Sequence, residues 1–188
     1  MAQKFYSTAS ADRFVDLKQA VLRSLPSDNG LYMPSEVPRP DEVLQPGWRE
    51  WSFSELSYRV ASAFFKASVP EQDLRDMVGQ AINFDAPLVK IAEGMNILEL
   101  FHGPSLAFKD FGARFMARLM GWLTREDDRE LTVLVATSGD TGGAVASAFH
   151  RVTGTRVVVL YPSGKVSALQ EKQLTTLGDN VTALEVRG

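Results

Sequence analysis

The sequence predicts an α/β fold: a mainly parallel sheet with covering helices, preceded by a mostly helical N-terminal region. Three observations lead there. Residues 131–186 alternate short apolar runs with helix-period segments, strand–helix–strand–helix–strand, the pattern of a parallel sheet built by helical crossovers. The runs LTVLVA (131–136) and TRVVVLYP (155–162) are continuously apolar, as strands covered on both faces are. Earlier segments carry their apolar residues at helical spacing.

Residues 12–25 (DRFVDLKQAVLRSL) put Phe14, Leu17, Val21 and Leu25 near one helical face and predict a helix. A turn at 26–30 (PSDNG) follows, then LYMP and a proline-containing stretch to Gly47. Ser52 and Glu55 form a capping-box pattern ahead of a helix with a Leu56, Val60, Ala63, Phe64 stripe. A second helix is predicted over 71–83, carrying Leu74, Met77, Val78 and Ile82. Apolar residues at these spacings read as core. The pattern changes near Pro87, which sets the expected division at 1–87 and 88–188. PLVKIA (87–92) and NILELF (96–101) read as a strand pair turning at Glu93–Gly94. A loop leads into a helix over 109–124 with Phe111, Phe115, Met116, Leu119 and Leu123 along it. After the strand at 131–136, TSGDTGG (137–143) turns into the helix AVASAFHRV. After 155–162, residues 163–178 read as a loop plus a helix stopped by Gly178, and NVTALEV (180–186) as a third strand. Parallel strands need neighbours and cover on both faces. Three strands with two crossovers therefore predict half of a doubly wound domain: either a fragment, or a unit whose further sheet comes from elsewhere.

Composition bounds the function. Of 188 residues, 45% are hydrophobic and 23% charged, as in soluble globular proteins. A net charge of −3 argues against nucleic acid or an anionic membrane as partner. No apolar run approaches the ~20 residues that span a bilayer. The start, MAQKFYSTASADRF, has no apolar signal core, so a cytoplasmic location is expected. The absence of cysteine excludes disulfides, thiolate nucleophiles and cysteine-based metal sites. The two histidines, His102 and His150, are too few for a His-rich site, so no metal is expected.

Two segments carry candidate chemistry. Lys109 lies between Phe108 and Asp110 in ELFHGPSLAFKDFGARF (99–115), where a helix is predicted to begin. Lysine ordinarily keeps its ammonium in water. Partial desolvation among aromatics favours the neutral, nucleophilic amine that an imine-forming lysine needs; the alternative is a surface lysine in a first helical turn. TSGDTGG sits at the C-terminal end of a predicted strand, the edge where open α/β sheets bind ligands. Gly139, Gly142 and Gly143 let backbone N–H groups approach a ligand, and a helix N-terminus favours an anion. Thr137, Ser138 and Thr141 add hydroxyls. Asp140 would repel an anion unless it faces away; it suits a helix cap or a ligand hydroxyl or amine. The alternative is a capped, glycine-rich turn, and the motif matches neither Walker A nor GxGxxG. PSGKVS (162–167) repeats the geometry, with Lys165 either an anion partner or a solvated loop lysine. His102 reads as a proton shuttle, a substrate contact or a structural residue, and His150, late in a helix, as a cap. An amine followed by an anion-binding turn suits pyridoxal phosphate chemistry, the lysine holding the aldehyde as an imine and the turn holding an amino-acid carboxylate.

ELFHGPSLAFKDFGARF, ATSGDTGGAVA and YPSGKVSALQEKQLTTLGDNV resemble motifs of the threonine synthase family, fold-type II pyridoxal-phosphate enzymes, and SDNGLYMP resembles its N-terminal region. The resemblance implies a carbon–oxygen lyase acting on a phosphate ester: O-phospho-L-homoserine and water become L-threonine and phosphate, in threonine biosynthesis. It implies that Lys109 is the imine-forming and proton-moving lysine. Asp140 and Phe108 would join it at the cofactor, pyridoxal 5'-phosphate. Ser138, Gly139 and Thr141 would face the substrate carboxylate, with Lys165, His102 and Ser105 also on the substrate side. The family's glycine-rich phosphate loop and the hydroxyl facing the ring nitrogen come later in its chains, and nothing before Gly188 matches them. The resemblance thus implies an N-terminal portion, inactive alone. Two further readings stay open: a related phospho-lyase that eliminates phosphate without making threonine, and a truncated, non-catalytic folded module. The sequence leaves the oligomeric state undetermined.

Overall fold

The strand–helix alternation of residues 131–186 folds into the expected parallel sheet, whereas residues 12–15 do not follow their helical pattern. The computed structural model describes residues 3–187. The chain divides into two compact units between Gly79 and Gln80, eight residues before the composition change at Pro87.

In the first unit, β1 (Phe5–Ser7), β2 (Ser10–Val15) and β3 (Tyr32–Pro34) form an antiparallel sheet in the order β2-β1-β3. The expected helix over 12–25 is shortened to α1 (Leu17–Arg23). Tyr6 pairs with Phe14 across the ladder, with an edge-on ring contact at 6.5 Å. Asp16 then caps α1, accepting from the Gln19 N–H at 2.7 Å, which starts the helix after Phe14 instead of before it. α2 (Pro40–Val43) is a single turn. α3 (Phe53–Phe65) and α4 (Glu71–Ala81) match the predicted helices. The capping box at Ser52 is half made. Its hydroxyl accepts from Glu55 N–H at 3.1 Å. The Glu55 carboxylate instead binds Arg59 at 2.6 Å and Arg75 at 3.2 Å, pairings, Arg59 foremost, that hold it below the usual carboxylate range.

In the second unit, β4 (Leu88–Ala92) and β5 (Met95–Leu98) form an antiparallel hairpin. α5 (Lys109–Leu123) then precedes β6 (Leu131–Ala136), α6 (Asp140–Phe149), β7 (Thr155–Pro162), α7 (Ala168–Thr175) and β8 (Val181–Val186). The three strands pair in parallel in the order β6-β7-β8. Strand alternation gives this sheet two unlike faces. On one, Val157, Val159 and Tyr161 are buried beneath helices. On the other, Leu134 stands opposite Val158, and Ala136, Leu160 and Leu184 form a row; Leu134 is 66% exposed and Leu184 47%. The strands are therefore apolar on both faces, as their sequences indicate, while the described residues cover one.

At the N-terminal end of β7, the start of β8 is clamped to the end of α6. Asn180 donates to the carbonyls of Phe149 (2.9 Å) and Thr155 (3.0 Å) and accepts the Arg151 N–H at 2.8 Å. His150 is the C-cap residue of α6, but its ring pairs with the neighbouring Asp179 at 3.0 Å, alongside Arg151 at 2.6 Å. Arg151, then His150, hold the Asp179 carboxyl below its ordinary range. A carboxyl with a depressed folded-state value stabilises the fold above its unfolded value of about 4 and loses that contribution as pH falls. Asp179→Asn is expected to lower the thermal midpoint at neutral pH, and the difference from the unsubstituted protein is expected to shrink progressively as pH falls below about 4. Asn180→Ala, which removes a donor from the Phe149 and Thr155 carbonyls and an acceptor from the Arg151 amide, is expected to destabilise by about 1–3 kcal/mol in a denaturant titration.

Candidate active site

Two helix N-termini carry the residues that the sequence marks as candidates for chemistry. The chain leaves α5 at Leu123 and enters β6 at Leu131, and α6 follows β6 directly. Both helices thus run antiparallel to β6 and begin at the C-terminal edge of the sheet, and α5 packs along α6. Lys109 opens α5 and Asp140 opens α6.

Lys109 is half-buried, with Nζ 4.5 Å from the centroid of the exposed Phe108 ring. The residue after it, Asp110, is 0% exposed. Its Oδ2 accepts the Ser105 N–H and its Oδ1 the Ser105 hydroxyl, each at 2.8 Å. Gly103 lies so near that a Cβ there would overlap the Asp110 carboxyl. His102 is outside this knot: Nε2 meets Glu99 at 2.7 Å and the ring stacks on Phe101 at 4.9 Å.

At the second turn, Thr137 does work that its motif position alone did not indicate. Its N–H continues the ladder to Leu160 O at 2.9 Å. Its Oγ1 accepts the N–H groups of Gly139 and Gly142, both at 3.1 Å. A Cβ on Gly142 would overlap the Thr137 methyl, whereas one on Gly143 would make ordinary contact, 3.5 Å from Gln173 Oε1. Gly139 is the N-cap residue, so Asp140 does not cap α6. Its Oδ1 accepts from Gln170 Nε2 at 3.0 Å, which ties the negative charge to α7. The hydroxyls of Ser138 and Thr141 are exposed and hydrogen-bond to nothing among the described residues. Gln170 was missed by motif reasoning, although Ser167 and Gln170 form a complete capping box at the head of α7, a pattern visible in SALQ.

Lys165 is exposed in the loop after β7, at the same sheet edge. There an open cavity of about 410 Å³ is lined by Ala136, Thr137, Ser138, Leu160, Tyr161 and Val186, among others. Tyr161 donates to Glu171 at 3.2 Å, and burial first, then Glu171, push its phenol up. The arrangement offers an amine, unpaired hydroxyls and the first-turn amides of a helix, a donor set suited to an aldehyde and a carboxylate. Among the described residues no group of three His, Asp or Glu side chains is placed to hold a metal, and no helix is long and apolar enough to cross a membrane.

The family model described as the threonine synthase N terminus matches residues 4–82. The threonine synthase of Serratia marcescens is 42% identical over 185 residues, covering 98% of this chain and 43% of its own length. That of Escherichia coli K12 is 40% identical over 190 residues, with the same shares. The crystal structure of pyridoxal-phosphate-bound threonine synthase from Brucella melitensis superposes with a TM-score of 0.89 at 34% identity, over 100% of this chain and 42% of its own. The yeast threonine synthase structure gives 0.90 at 32%, over 100% and 41%. The chain thus spans less than half the length of the relatives it matches.

The contrast between the two neighbouring glycines is testable. Gly142→Ala is expected to lower stability by about 1–3 kcal/mol, the range for overpacking. Gly143→Ala, a better helix former with room for its methyl, is expected to be neutral or stabilising. Equal thermal midpoints for the two variants would contradict the contact with Thr137.

Proposed function

We propose that this chain, a relative of the threonine synthases matching their N-terminal portion, carries part of the site of a pyridoxal-phosphate-dependent lyase. That enzyme would convert O-phospho-L-homoserine and water to L-threonine and phosphate. The observation that carries the reading is the pairing of a half-buried amine at the head of α5 with the TSGDTGG turn at the head of the adjacent α6.

In this reading Lys109 Nζ holds the aldehyde of the cofactor and, once released, takes a proton from one substrate carbon and returns it at another. Bound pyridoxal phosphate supplies the electron sink for charge developing on the substrate carbons. Ser138 and Thr141 bind the substrate carboxylate, through two exposed hydroxyls and the first-turn amides of α6 that Thr137 does not take, while Gly139, whose own N–H goes to Thr137 Oγ1, keeps the turn in shape. Thr137 shapes that turn from behind. Asp140, restrained by Gln170, faces the ring-hydroxyl side of the cofactor without closing the anion site. Phe108 offers an exposed ring beside the amine. Lys165 adds positive charge at the same sheet edge for the phosphate ester, with His102 and Ser105 in the loop before Lys109.

Incubation of the protein with pyridoxal phosphate tests the reading. An absorbance near ~420 nm, reducible by borohydride, is expected from an amine held to the cofactor aldehyde, and Lys109→Ala is expected to abolish it. The same absorbance in Lys109→Ala would transfer the role to another lysine and sink this assignment.

A further inference from the structure

We infer that Asp110 is the positioning residue of the site: its buried carboxylate ties the loop of residues 103–105 to the first turn of α5 and thereby sets where Lys109 projects. The inference rests on the proposed role of Lys109 and extends it to a residue that role does not use.

Asp110 is wholly buried, and both hydrogen bonds of its carboxylate go to one residue, Ser105, in the loop five residues upstream. Its two carboxyl oxygens take the backbone and the side-chain donor of the same residue, Ser105, a bidentate grip that fixes distance and orientation together. Gly103 lies against the carboxylate so closely that a side chain there would displace it. Between the grip and Lys109 the backbone is strained. Leu106 is a non-glycine residue at φ 59°, a conformation that persists where surrounding contacts over-determine it. The contacts here are Leu106 N–H on Gly103 O and Asp110 N–H on Ala107 O, both at 3.0 Å, with the Ser105–Asp110 pair beside them. Residues 103–110 are thus a closed knot whose last link is adjacent to the amine. A hydrogen bond to a charged group, if lost, shifts a local opening equilibrium by about tenfold or more.

Four forms of the 188-residue protein test this: unsubstituted, Asp110→Ala, Asp110→Asn and Ser105→Ala. One readout is hydrogen exchange at the Ser105 and Leu106 amides. The other is pyridoxal phosphate labelling trapped by borohydride and mapped by peptide mass, with Lys165 and Lys172 as internal references. Asp110→Ala is expected to lose about tenfold or more of both the amide protection and the preference for Lys109 over Lys165. Asp110→Asn is expected to rescue both to within about threefold, because an amide can accept the Ser105 N–H and donate to its hydroxyl. Ser105→Ala removes one bond and is expected to fall between. Should Asp110→Ala lose its cooperative thermal transition, the Asn and Ser105→Ala forms decide the matter by the same two readouts.

Unchanged protection in Asp110→Ala overturns the inference. So does lost protection with unchanged Lys109 labelling in a protein that prefers Lys109 when unsubstituted. A protein without that preference overturns the role of Lys109 instead, and lost protection in Asp110→Ala then still supports the loop-fixing role of Asp110.

Discussion

The Thr137 side chain joins sheet to helix, and the candidate site depends on that junction. Its amide belongs to the β6–β7 ladder, while its hydroxyl serves as acceptor for two amides of the following turn. A helix start normally draws its acceptor from the N-cap residue itself. Here the N-cap is Gly139, which has none, and the acceptor is supplied from two residues back. The exchange leaves the hydroxyls of Ser138 and Thr141 free for a ligand. It also makes Gly142 obligatory, because the Thr137 methyl fills the space a side chain there would need.

The loop before α5 solves a similar problem with opposite polarity. There a carboxylate inside the helix reaches back to donors in the loop, where at α6 a loop hydroxyl reaches forward to helix amides. Both devices freeze the few residues before a helix N-terminus, where unpaired amides make anion binding favourable. The two helices they open lie side by side, so the orders imposed at Asp110 and Thr137 converge on one edge of the sheet.

Cover on the sheet is unequal. The face bearing Val157 and Val159 is closed by helices, and the face bearing Leu134, Leu160 and Leu184 is open among the described residues. The β4–β5 hairpin likewise exposes Leu88, Ile91, Met95 and Leu98. Largely apolar parallel strands call for two covered faces. That requirement agrees with a chain spanning less than half the length of its relatives.

Much of this was legible in the sequence because the signals are local. Apolar runs of strand length, helical stripes and a glycine-rich turn at a strand end each lie within a dozen neighbouring residues, and they specified the β6–β8 unit, the helices α3 to α7 and the placement of Lys109 and TSGDTGG. Local pattern failed at residues 12–15, where Phe14 fits a helical stripe but finds its partner in Tyr6 across a ladder. It also failed to single out Asp110, Thr137 and Gln170 for what they do. A buried carboxylate, a methyl against a glycine and an amide holding Asp140 from 30 residues away are properties of spatial neighbours. The sequence by itself determined the strands and helices from Phe53 onward and placed Lys109 at the head of a helix. Only the tertiary structure decided which polar groups are consumed in holding the turns and which stay free, because hydrogen-bond partners are chosen by proximity in space and not along the chain.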